Sequence, residues 1–139
     1  MASDAATRFS PPAIPWLEPQ ELSGLQQLGE GLDCVRLRQG LAALVAQSPV
    51  QALVAFGSRA RGAARADSDL DLAVICREPS LTPVEKTQRS WAYRQLIGSL
   101  GCGVDLVVVG AADAQRLAGS RWHVMGDVAR EGKVLYVAG

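Results

Sequence analysis

The sequence is short of most features that would identify a chain quickly. It has three cysteines and one histidine in 139 residues. Cys34, Cys76 and Cys102 are odd in number, widely spaced and form no CxxC pair. Neither a disulfide framework nor a zinc site is expected, and a reducing, cytoplasmic setting is the simplest one. Charge of one sign is also lacking, because 14 Lys plus Arg balance 14 Asp plus Glu. A general nucleic-acid binder of this size is normally basic, so stable nucleic-acid binding is not expected. Apolar runs such as Leu41 to Ala46 and Leu106 to Val109 fall far short of the ~18 residues of a membrane helix. The N-terminus has no basic stretch followed by an apolar one, so no secretory signal is expected.

What is present suits one folded unit. Hydrophobic residues make up 48% and charged residues 20%, which argues against disorder. Residues 1–19 hold four of the seven prolines, Pro11, Pro12, Pro15 and Pro19. Proline at that density blocks regular hydrogen bonding, so these residues are expected to form an arm, a loosely ordered tail in its plain reading. Phe9, Ile14 and Trp16 are the arm's candidates for docking on the body or a partner. The domain proper is expected over 20–139.

Helical spacing runs from Gln20 to Gln47, with a break near Gly29 and Gly31. Val50 to Phe56 is an apolar run of strand length, and Gly57 to Ala66 suits a turn opening a short helix. Asp69 to Cys76 alternates, with Leu70, Leu72 and Val74 on one face and Asp69 and Asp71 on the other. Thr82-Pro83 with Glu85 predicts a capped helix to about Leu100. Val104 to Val109 reads as a strand, Asp113 to Arg130 as broadly helical and Lys133 to Val137 as a last strand. The class is α/β, a small mixed sheet flanked by helices.

Two chemical devices lie close together after the first strand. Gly57-Ser58, before a short helix, exposes backbone N–H groups and a hydroxyl that suit phosphate oxygens. Asp69 and Asp71, two apart on a strand, share a face and can share a hard divalent cation. A third acid, Asp105, interrupts the apolar run Val104-Asp105-Leu106-Val107-Val108-Val109. Alone it is costly to bury, so it calls for a metal, a partner or solvent at a cleft. Neighbouring strands would bring three carboxylates together, the arrangement of two-metal phosphoryl or nucleotidyl transfer. Asp105 is then a ligand or the general base for an acceptor hydroxyl.

Gly57-Ser58, ten residues, then Asp69-Leu70-Asp71 resembles the signature of the DNA polymerase β nucleotidyltransferase superfamily, with Asp105 at its third acidic position. Within it, Gly57-Ser58-Arg59-Ala60-Arg61-Gly62, Ser68 to Val74, Val104 to Val107 and Arg130 to Tyr136 are most similar to minimal nucleotidyltransferases. Those are the antitoxin partners of HEPN toxins. The resemblance spans about Leu32 to Val137 and implies a polymerase β-like fold. It also implies AMP transfer from ATP to a tyrosine of a HEPN ribonuclease, with Mg2+, two ions, at Asp69, Asp71 and Asp105. Gly57, Ser58, Arg59 and Arg61 are the expected nucleotide-binding residues. For Arg59, Arg61 and Arg65 two roles stay open, covering the triphosphate or neutralising the nearby aspartates. The chain ends after its last predicted strand, so the acceptor is expected on another protein or across a homo- or hetero-oligomer interface. The other readings are an antitoxin acting by contact alone, and transfer to a small molecule such as an aminoglycoside.

Competing motifs fail on single residues. Asp67, Asp69, Asp71 and Glu78 mimic a calcium loop, but Leu72 stands where the sharp turn needs glycine. Gly57 to Gly62 has Walker A glycine spacing, but Ala63-Ala64 replaces the Lys-Ser/Thr. Trp91, Tyr93 and Trp122 are read as core aromatics of helices, His123 as a packing or surface residue and Lys133 as a solvated lysine.

Overall fold

Two apolar runs, VQALVAF and LDLAVIC, form the middle of a four-stranded sheet in the computed structural model, which describes residues 13–139. The expectations for Phe9, Pro11 and Pro12 lie outside those residues. The strands are β1 (Val50–Phe56), β2 (Leu70–Cys76), β3 (Val104–Gly110) and β4 (Lys133–Val137), in the order β3-β2-β1-β4. β2 and β3 are parallel, while β1 is antiparallel to both β2 and β4. The helices are α1 (Cys34–Gln47), α2 (Gly57–Arg61), α3 (Pro83–Ile97), α4 (Ala111–Leu117) and α5 (Val124–Glu131), after a 3-10 turn at Leu25–Leu28. This is the small mixed sheet flanked by helices that the pattern predicts. No helix among the described residues is long and apolar enough to cross a membrane.

The period-2 geometry of strands divides the core into two layers. Leu53 and Ala55 of β1 and Leu70, Leu72 and Val74 of β2 pack against Leu37, Leu41 and Leu44 of α1 and Tyr93 and Ile97 of α3. The opposite face puts Ala52, Val54, Phe56, Ala73 and Ile75 against Ala114 of α4 and Met125 and Val128 of α5. Each fully buried leucine contributes about 1.5–3 kcal/mol by leaving water. The parallel β2–β3 pair requires a crossover, and α3 supplies it. Thr82 starts α3 with the expected capping box, its side chain accepting from Glu85 N–H while Glu85 accepts from Thr82 N–H.

Trp16, one of the arm's docking candidates, is only 3% exposed and packs in the second layer with Ala52 and Val54. Burying an indole outweighs the disordering effect of the flanking prolines. Two of the expected helices change. The helical spacing from Gln20 yields only the 3-10 turn before α1, because Gly24, Gly29 and Gly31 all adopt positive φ. The stretch from Asp113 to Arg130 is two helices. His123 caps the second of them, its Nδ1 accepting from Met125 N–H at 3.1 Å.

Candidate active site

The three acids come from the ends of two neighbouring strands. Asp69 immediately precedes β2, Asp71 is its second residue, and Asp105 is the second residue of β3. Parallel register sets Asp71 directly beside Asp105, and β1 sets Phe56 on the other side of Asp71. Phe56 leads straight into Gly57-Ser58 and α2. Alternation puts all three acids on the face of Ala73 and Ile75, opposite the leucine-rich layer.

Two glycines make room for these carboxylates. A Cβ on Gly57 would collide with the Asp71 carboxylate, and Gly57 also adopts φ +71, which disfavours any side chain. A Cβ on Gly103 would collide with the Asp69 carboxylate, while Gly103 accepts from Leu70 N–H through its carbonyl at 2.8 Å. Gly57 is legible in the sequence as part of the Gly-Ser turn. Gly103 is not, because it reads equally well as the end of the preceding helix.

Asp71 is half-buried, and its carboxyl is held above the usual aspartate range. Burial is the largest cause, followed by the charge of Asp105 and then that of Asp69; Arg61 acts in the opposite direction. Three carboxylates are gathered here, and Arg61 is the cation whose charge reaches Asp71. An all-oxygen donor set of this kind fits a hard divalent cation such as magnesium. Among the described residues no three acidic, histidine or cysteine side chains make a ready-closed ligand cage. Magnesium does not need one, since it takes several ligands from water and substrate phosphates.

The arginines divide. Arg61 is half-exposed and pairs with Glu131 of α5 at 2.9 Å. Arg59 is 1% exposed and its guanidinium is taken up by backbone carbonyls, which corrects its expected role as a nucleotide ligand. Its guanidinium donates to the carbonyls of Leu28 and Glu30 at 2.9 Å, Ser68 at 3.0 Å, and Arg65 and Ala66 at 3.4 Å. Burying the planar fork against five carbonyls leaves none of it for a phosphate, and none for the aspartates. Residues two apart on a helix point about 200° apart, so Arg59 and Arg61 could not both face one ligand.

Four strands in this order, three acids at one end of the sheet and a Gly-Ser turn beside them define a nucleotidyltransferase fold. The family model for "Polymerase beta, Nucleotidyltransferase" matches residues 41–138. The chain belongs to that family. No curated protein sequence matches it. A candidate nucleotidyltransferase of Sulfolobus solfataricus is 16% identical and shares the fold with a TM-score of 0.51, over 78% of this chain and 89% of its own. A candidate minimal nucleotidyltransferase is 28% identical over 80% of this chain and 95% of its own, with a TM-score of 0.42. A complex of the tri-AMPylated Shewanella oneidensis HEPN toxin with MNT antitoxin gives 17% identity, 77% and 74% coverage, and a TM-score of 0.47.

Proposed function

We propose that this chain is a metal-dependent nucleotidyltransferase that moves AMP from ATP to a protein hydroxyl, a tyrosine of a HEPN toxin, and thereby acts as an antitoxin. The observation that carries the chemistry is the rung of the β2–β3 ladder that places Asp71 beside Asp105, with the charge of Asp69 also close to Asp71. The acceptor and the antitoxin role rest on the resemblance of the Gly57–Gly62, Ser68–Val74 and Arg130–Tyr136 segments to minimal nucleotidyltransferases.

In this reading the residues have separate tasks. The Gly57 and Ser58 N–H groups and the Ser58 hydroxyl hold the β and γ phosphates. Arg61, half-exposed beside the acids, adds a guanidinium to the triphosphate. Asp69 and Asp71 would hold magnesium, which offsets charge on the phosphates and lowers the barrier to attack at the α phosphorus. Asp105 is exposed on an edge strand, where an acceptor on another protein can reach it. It completes the metal site or takes the acceptor's proton as the hydroxyl oxygen bonds to phosphorus and pyrophosphate leaves.

The test is transfer itself. The chain is incubated with Mg2+, ATP and a HEPN ribonuclease, and the toxin is examined by intact-mass and peptide mass spectrometry. AMP on a tyrosine of the toxin supports the proposal. Full neutralisation of the toxin by the Asp69→Asn, Asp71→Asn double variant, with no added AMP, would replace it with contact-only inhibition.

A further inference from the structure

The Arg61–Glu131 pair is hard to explain by stability. Its two side chains are 49% and 39% exposed, a setting in which ion pairs contribute roughly 0–1 kcal/mol. Glu131 is also the last residue of α5, where the helix dipole disfavours an acid; Arg130 and Asp127 stand at the ends that favour them. The pair joins two elements 70 residues apart, the end of α2 and the end of α5. Its cation is the arginine of the Gly57–Gly62 segment that keeps access to solvent, since the five carbonyls around Arg59 occupy that guanidinium. The Arg61 charge also reaches Asp71.

We infer that Glu131 is a positioning residue, whose carboxylate holds the Arg61 guanidinium beside the carboxylate site so that it meets an incoming triphosphate already oriented. The inference rests on the proposed nucleotide site and names a residue outside the Gly-Ser and Asp-x-Asp segments as part of its control. A long arginine side chain free in water samples many rotamers, and few of them face the site. If only a fraction of molecules hold Arg61 in place, the apparent affinity for nucleotide falls by that fraction. A carboxylate on α5 that fixes one end of the guanidinium raises the fraction. The remaining N–H donors stay available, because a guanidinium carries five.

The experiment titrates α,β-methylene ATP, which cannot release pyrophosphate, into the full chain with Mg2+ by calorimetry. The proteins are wild type, Glu131→Ala, Glu131→Asp, Arg61→Ala and the Arg61→Ala, Glu131→Ala double variant. Glu131→Ala is expected to weaken binding about threefold to tenfold, with an unchanged thermal midpoint, and Glu131→Asp to recover part of the loss. The double variant is expected to bind no worse than Arg61→Ala alone, as two residues acting through one interaction require. Equal or tighter binding by Glu131→Ala, or losses that add in the double variant, would overturn the inference while leaving the nucleotide site intact. A wild type that binds no analogue would overturn the proposed function itself, and this inference with it.

Discussion

Asp71 and Asp105 occupy one rung of the parallel ladder between β2 and β3, and the β1 residue on the same rung, Phe56, leads directly into the Gly57-Ser58 turn. A single row across three strands thus joins the Gly-Ser turn, a half-buried acid and an exposed acid. The mutual repulsion along that row has measurable consequences.

Asp71→Asn is expected to abolish nucleotidyl transfer and yet melt above wild type at neutral pH. Burial and two neighbouring carboxylates hold the Asp71 carboxyl above its usual range, so its ionised form opposes folding. The folded state then binds the proton more tightly than the unfolded state. The penalty is therefore complete above the folded-state pKa and vanishes as pH falls below the ordinary aspartate value of about 3.9. Thermal melts of both proteins from pH 3 to 8 should converge at the acid end. A neutral-pH midpoint below wild type would remove the argument.

Gly57→Ala is expected to lose nucleotide binding and about 1–3 kcal/mol of stability, because a side chain must be forced to positive φ against a carboxylate. Urea unfolding measures the second quantity. A variant as stable as wild type would show that the turn relaxes freely.

Arg59→Lys is expected to be as harmful as Arg59→Met, each costing about 3 kcal/mol or more. An ammonium has three N–H donors on one atom and cannot span five carbonyls arrayed around a planar guanidinium, and a thioether leaves all five without donors. Fully folded Arg59→Lys at 37 °C, with a wild-type urea midpoint, would contradict this.

The buried Tyr93 hydroxyl lies 2.6 Å from the Ser48 hydroxyl and 3.5 Å from the Cys76 thiol. Burial is the chief cause that pushes its pKa from 10.0 up to about 12. The neutral phenol is thus favoured by folding, a contribution present below pH 10 and lost as pH rises to about 12. Ultraviolet titration should show a late tyrosine transition that Tyr93→Phe removes. A wild-type titration complete by pH 11 would speak against it.

How much of this could be read from the chain depends on the range of the interaction. The face shared by Asp69 and Asp71 follows from period-2 alternation within one strand, which is local. The capping box at Thr82 and Glu85 is local in the same sense. The rung that pairs Asp71 with Asp105 depends on a parallel register across a helical crossover, and nothing in either segment fixes that register alone. Arg59, beside a Gly-Ser turn and an Asp-x-Asp pair, suggests a triphosphate ligand or a partner of the aspartates, and its burial against five carbonyls leaves neither role. The available signal was its spacing from Arg61, which sends the two side chains to different sides of α2. Trp16 lay among prolines that suggest a tail, whereas its indole is buried in the second layer. Glu131 had no local signal, since its partner lies 70 residues earlier.

The most direct measurement is calorimetric titration of α,β-methylene ATP into wild type and into the Asp69→Asn, Asp71→Asn double variant, each with and without Mg2+. The account predicts binding only when the metal and both aspartates are present. Equal binding by the double variant, or binding indifferent to the metal, would contradict the claim that these acids build a metal-dependent nucleotide site.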